Sequence, residues 1–215
     1  MKPFMHLVAA AATVAFSTVL VAAPVAAAEA PDALVKRISN EVIDSVKADK
    51  DIQAGNRSKI MGLVNEKILP YVDAEKMTQQ AAGRHWRSAT PEQKQKLTKE
   101  FRDLLVYTYA GALSTIKNET VEFKPMRGSP TDSDVEVRSQ VNVARGEPIT
   151  LNYRLSNDKG SWKIYDVNVL GAWLVQTYAS TFNSEIGKSG IDGLIKRLAD
   201  RNAQLASKPL AAPAK

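Results

Sequence analysis

Between Trp162 and Gly171 the chain alternates, then changes period. Trp162, Ile164, Asp166 and Asn168 fall on one side of an extended chain, and Lys163, Tyr165, Val167 and Val169 on the other. Aromatic and β-branched residues dominate, so the stretch predicts a strand with bulk on both faces. Leu170, Leu174, Tyr178, Phe182 and Ile186 then recur at helical spacing, with Trp173 and Thr177 beside them. A strand that runs into an amphipathic helix at Gly171 lets the chain fold back over a sheet.

Upstream the pattern is helical. Leu34, Val35, Ile38, Val42 and Val46 predict a helix over 31–47, closed by the polar break at Asp49-Lys50-Asp51 and Gly55-Asn56. Ile60, Met61, Val64 and Ile68 mark a second, ended near Pro70. Asp73 suits the N-cap of a short helix through Met77 to Ala82, stopped by Gly83. Thr90-Pro91-Glu92-Gln93 is a capping-box start with proline at the first helical position. The helix it opens is expected over 91–117. Leu97, Phe101, Leu104 and Leu105 face inward while Lys94, Lys96, Lys99 and Arg102 are solvated. Its end, Val106 to Leu113, is apolar nearly all round and so buried on more than one side. That end either lies central to the core or meets a cavity or partner.

After Asn118 the period drops to two. Residues 120–124 form a short strand, and 134–144 alternate, with Val135, Val137, Val141 and Val143 on one face. Ile149, Leu151, Tyr153 and Leu155 share a face of the next strand. Gly146-Glu147 and Asn157-Asp158-Lys159-Gly160 are the turns. Consecutive strands on short turns predict an antiparallel sheet. A last helix is expected over 189–205, with Ile191, Leu194, Ile195 and Leu198 inward, followed by a disordered Ala/Pro/Lys tail over 206–215.

The chain has 215 residues, a formal net charge of +6 and no cysteine. The length favours one domain with a sizeable core. Without cysteine there is no disulfide, thiolate metal site or cysteine nucleophile. The N-terminus reads as a cleaved secretory signal peptide over 1–28: Lys2, an uncharged apolar run from Leu7, Pro24, then Ala26-Ala27-Ala28. The run is slightly short for a membrane span of about 20 residues. A single domain over 29–205 is then expected to work after export.

The search for catalytic groups is mostly negative. Once the leader is gone His85 is the remaining histidine, too few for a histidine-rich zinc site. There is no nucleophile elbow, P-loop or H-E-x-x-H. Gly187, Gly190 and Gly193 follow a helix and read as a cap and turn. Asp132, Asp134 and Glu136 lack the order of a calcium loop and read as a solvated turn and strand face. Asp166 is the one acid in an apolar strand, either a buried base or a paired structural acid. The basic run from Arg84 to Arg102 is either an anionic-surface patch or a solvated helix face, and export argues against nucleic acid.

Several segments together carry a family resemblance: Asp73-Ala-Glu-Lys-Met77, Ala82-Gly83-Arg84-His85-Trp86, Ala89-Thr90-Pro91-Glu92-Gln93, Phe101-Arg-Asp-Leu104-Leu105, Thr108-Tyr109, Tyr153-Arg154-Leu155, Trp162 to Val167, Gly171, Leu174-Val175, Tyr178, Phe182 and Gly190 to Ile195. In that order the chain resembles the toluene-tolerance family of periplasmic phospholipid-binding proteins, the MlaC type. The resemblance implies an α+β fold in which a curved antiparallel sheet packs under helices, nuclear-transport-factor-2-like, with lipid tails in an internal apolar cavity. It implies no enzyme and no cofactor, with phospholipid as cargo. The implied partners are an outer-membrane lipoprotein–porin complex and an inner-membrane ABC transporter complex with its lipid-binding subunit, between which lipid is shuttled to maintain outer-membrane lipid asymmetry. Two positions depart from the pattern: Trp173 stands where a small residue is usual, and Ala179 where arginine follows the tyrosine. A sister branch associated with hopanoid synthesis shares much of the pattern, so a sterol-like lipid is an alternative cargo.

The surplus of apolar surface is consistent with a guest. Tyr109 and Leu113 on the helix end, Val137, Val141, Leu151, Tyr153, Val167 and Val169 on the strands, and Leu174, Tyr178 and Phe182 on the following helix are the expected tail contacts. Arg154, Lys163 and Trp173 are expected at the rim, meeting head group or partner. Two other classes compete. One is an enzyme on the same fold using Asp166 and His85. The other is a protein-binding adaptor with a solid core.

Overall fold

The structure, a computed structural model, describes residues 29–126, 132–143, 147–158 and 160–210. The expected signal peptide and the end of the expected tail, 211–215, lie outside the described residues, as do parts of both turns flanking the third strand. Helix α1 (Pro31–Ala48) buries Leu34, Val35, Ile38, Val42 and Val46, the stripe its spacing predicts. The polar break is partly helical: Asp49 caps the short α2 (Lys50–Gln53), which buries Ile52. Asn56 caps α3 (Arg57–Leu63), which runs on through a π-turn (Val64–Ile68) and a 3₁₀ turn (Leu69–Tyr71). Asp73 accepts the Lys76 N–H at 2.8 Å to start α4 (Ala74–Ala82), and Gly83, at φ 55°, ends it.

Thr90 and Gln93 make the capping box of α5 (Pro91–Tyr109). The helix is shorter than the predicted 91–117, because its apolar end tightens into a 3₁₀ segment (Ala110–Thr115). Five strands follow: β1 (Thr120–Phe123), β2 (Asp134–Asn142), β3 (Ile149–Ser156), β4 (Lys163–Val169) and β5 (Ala172–Trp173). They form an antiparallel meander in chain order, as their alternation and short turns predict.

Three expectations are corrected. First, the two faces of β4 are not set by simple alternation. The register shifts between Arg154 and Leu155, so that Leu155 opposes Ile164 while Arg154 opposes Asp166. Tyr165 is the extra residue of this bulge. It moves Ile164 onto the same face as Val167 and Val169. Second, Leu170 does not begin the helical stripe. It sits in a turn at φ 53°, 59% exposed, and α6 (Leu174–Ala206) starts after β5. Within α6 the backbone at Gly190 is not helical (φ 71°, ψ −179°), so two helical limbs meet there at a kink, where the sequence places a cap and turn before the last helix. Glu185 on one limb binds Arg197 on the other at 2.8 Å. Third, the described part of the tail is tied down: Arg57 donates to the Lys208 carbonyl at 2.9 Å, and Leu210 is buried in the core.

Two cores result. One lies between the sheet and α1, α3 and the end of α5, built on Val35, Val46, Ile60, Val137, Leu155 and Ile164. The other is helical, between α4, α5 and α6, with Phe101, Phe182, Trp86, Leu97 and Leu194. Tyr165, pushed out by the bulge, joins this second core. Phe101 meets Phe182 edge-on at 4.9 Å and Tyr178 at 5.1 Å between ring centroids.

Candidate functional site

Cross-strand partners share a sheet face, so the register assembles one apolar face from Val135, Val137 and Val141 of β2, Ile149, Leu151, Tyr153 and Leu155 of β3, and Ile164, Val167 and Val169 of β4. Burial along this face is graded. At one end Val135, Val137, Leu155 and Ile164 are sealed under the helices. Tyr153 and Val167, midway, are half-buried and pack against that core. At the other end Val141, Ile149, Leu151 and Val169 are also half-buried, and they belong to neither core cluster. The face therefore opens towards one edge, where apolar side chains lack the partners that a solid core would supply.

A polar strut marks the middle. Ser139 sits among the valines of β2, buried, and donates to the Leu151 carbonyl. The Tyr153 hydroxyl is bound by Ser139 and by Ser39 of α1, and burial pushes its pKa up. Buried hydroxyls require such partners, so this cluster fixes the spacing of α1 over the sheet. Neither serine stood out in the sequence, because a single serine in a strand or helix carries no spacing signal. Ile149 was legible only as part of the alternation.

The predicted tail contacts divide accordingly. Val137 is fully core, 1% exposed. Tyr153, Val167 and Leu113 are half-buried against the edge of the sheet core, and Val141, Leu151 and Val169 lie at the open end beyond them. Phe182 is in the helical core instead, away from the sheet face, and Tyr178 packs at that core's edge. Tyr109 hydrogen-bonds Tyr178, linking the two regions, and burial raises both pKa values, Tyr178 to about 12. Leu174 is buried at the start of α6. The all-round apolar helix end is thus explained by two neighbours, with Tyr109 reaching Tyr178 beside the helical core and Val106 and Leu113 against the sheet core.

The predicted rim residues lie on the opposite face. Arg154 opposes Asp166, Trp173 opposes Asn168, and Lys163 opposes Ser156, all out of phase with the apolar set. The Arg154 guanidinium stacks 3.9 Å from the Trp173 ring centroid and lies 3.5 Å from Asp166. Lys163 donates to the Pro70 carbonyl. Their placement follows from strand parity, which turns them away from the apolar set.

Asp166 is a structural acid. Its Oδ1 accepts the N–H groups of Val167 at 2.9 Å and Val175 at 3.0 Å, the second a donor of the first turn of α6. Burial holds its carboxyl above the usual range, opposed by those two N–H groups and by Arg154. His85 instead bonds Asn183 at 2.9 Å, eight residues along α6 from the Asp166 contact, about 12 Å at the rise of a helix. The two do not form an acid–base pair. Among the described residues no group of three His, Asp or Glu side chains is placed to hold a metal ion, and no helix is long and apolar enough to cross a membrane. The basic run is a solvated face in which Lys99 and Arg102 pair with Asp103. Two surface hollows are charged, one lined by Asp73, Lys76 and Asp158, the other along α6 with Glu185 and Arg197.

The family model described as MlaC protein matches residues 36–200. The intermembrane phospholipid transport system binding protein MlaC of Haemophilus influenzae is 25% identical over 201 residues, 92% of each chain. The toluene tolerance protein ttg2D of Pseudomonas putida is 26% identical over 167 residues, 77% of each. A solved phospholipid-binding protein from Ralstonia solanacearum, in complex with a phospholipid, superposes with a TM-score of 0.78 at 45% identity, covering 84% of this chain and all of the other. With a match over most of its length and a half-open apolar sheet face under helices, the chain belongs to the MlaC protein family.

Proposed function

We propose that this protein is a phospholipid carrier whose acyl tails lie against the open end of the apolar sheet face, between Val141, Leu151, Val167 and Val169 and the end of α5 at Tyr109 and Leu113. The observation that carries it is the burial gradient: Val141, Leu151 and Val169 continue the sealed apolar face yet stay half-buried and join neither core. The 45%-identical relative with phospholipid bound supports the same reading. Enclosing one acyl chain of about 16 carbons is worth roughly 13 kcal/mol at ~0.8 kcal/mol per CH₂. A charged head group costs far more to bury and stays at the surface. Such a carrier needs no catalytic group, and the separation of His85 from Asp166 supports that. The finer reading is that the chain is exported by cleavage after Ala28. It works in the periplasm, taking lipid between an outer-membrane lipoprotein–porin complex and an inner-membrane ABC transporter complex to maintain lipid asymmetry.

The test is native mass spectrometry of protein from a lipid-containing host, with the extracted lipid class identified. Wild type should carry phospholipid, and Val141→Trp, which fills the open end, should lose it while staying folded. Wild type that is uniformly lipid-free and takes up no labelled phospholipid from vesicles refutes the reading. A sterol-like lipid in the extract would replace the cargo.

A further inference from the structure

The turn between β4 and β5 is built against local preference. Leu170 at φ 53° and Gly171 at φ 90° are successive left-handed residues, as a mirror-image two-residue hairpin turn requires. The first position favours Asn, Asp or Gly, and leucine there is strained. Among the described residues Leu170 is the non-glycine with positive φ and also the large apolar side chain left exposed. Strain and exposure therefore coincide on one residue. The turn is nonetheless well held: Asn168 accepts the Gly171 N–H at 3.0 Å, and the Thr150 carbonyl accepts the Leu170 N–H at 3.2 Å.

Its surroundings point to a lipid surface. Val169, next to the tip, belongs to the open end of the apolar face, paired with Leu151. Behind the tip, Trp173 opposes Asn168 and carries the Arg154 guanidinium on its ring. Two residues of strand put that pair roughly 7 Å behind Leu170. An apolar tip, then an indole, then a cation matches the layers of an anionic bilayer from its hydrocarbon outwards to its phosphates. The net charge of +6 favours approach to such a surface. One leucine is a weak anchor, as suits a carrier that must leave again.

We propose that the Leu170–Gly171 turn is a landing tip that inserts Leu170 into an anionic bilayer while Arg154, stacked on Trp173, meets lipid phosphate. This brings the open end of the apolar face to its cargo, and so rests on the carrier reading above. The experiment is co-sedimentation of lipid-stripped protein with vesicles of mixed phosphatidylglycerol and phosphatidylcholine, for wild type and Leu170→Asn, beside a thermal melt of each. Wild type should partition to these vesicles. Leu170→Asn should bind about tenfold more weakly and melt higher, since Asn suits the turn. Wild type that does not partition, equal binding by the variant, or a lower melt for the variant would each overturn the proposal. So would an effect on lipid exchange seen only with a partner protein present, which would assign the tip to a protein interface. Lipid content by organic extraction is read separately: its absence from wild type refutes the carrier reading, whereas vesicle partition reports on the tip.

Discussion

Replacing Asp166 separates the role of an acceptor from the role of a charge. The side chain is 1% exposed, and its Oδ1 accepts two backbone N–H groups, one of them in the first turn of α6. A hydrogen bond to a charged group contributes about 1.5–3 kcal/mol, and an N–H left unpaired when buried costs about 1–3 kcal/mol. Arg154 is well exposed and reaches water without its partner, so its loss adds little. Part of this is offset because a buried charge is also removed. Asp166→Ala should therefore destabilise by about 2–4 kcal/mol. Asp166→Asn keeps an oxygen for the same two donors and should stay within about 1 kcal/mol of wild type. The pH dependence follows from the raised pKa. The folded state holds the proton more tightly than the unfolded chain. The contribution of Asp166 is thus fully present below the unfolded value near ~4 and is lost as pH rises through the folded value. Since Asn does not titrate, the stability of Asp166→Asn relative to wild type should increase above about pH 4 and then level off. Urea melts of the three proteins from pH 4 to 8 measure this. Asp166→Ala within about 0.5 kcal/mol of wild type, or a gap between Asn and wild type that is flat with pH, would refute the reasoning.

Phe182→Ala should cost about 3–5 kcal/mol in urea melts because Phe182 is 1% exposed against Phe101, with the phospholipid content of folded protein unchanged. Lost lipid at normal stability would return Phe182 to the tail-binding face. Trp173→Ser should cost only about 1–2 kcal/mol, the stacking of Arg154 plus half-buried ring area, and a loss of 3 kcal/mol or more in the same melts would make Trp173 a core residue. Thr90→Ala removes the Gln93 N–H acceptor at the start of α5 and should cost about 1 kcal/mol by chemical denaturation, a value near zero showing that the helix start is held by packing alone.

The sequence determined the elements and their direction. Helical spacing located α1 and the inward face of α5, and the Thr90-Pro91 signal located the start of α5, because caps and periodicity depend on near neighbours in the chain. Alternation located the strands, and short turns made the sheet antiparallel. Tertiary structure decided which faces meet. One bulge residue at Tyr165 exchanged the sides of β4, because strand parity changes with any inserted residue and no local pattern reports it. That is why Lys163, which simple alternation puts on one face with Val167 and Val169, lies opposite them. Phe182 and Val141 look alike as apolar periodic positions. Only packing separates a side chain with partners all round from one left half-open, since burial depends on elements distant in sequence. The strain at Leu170 was hidden for the same reason: a leucine at helical spacing reads as helix until the pairing of β4 with β5 forces it into a turn.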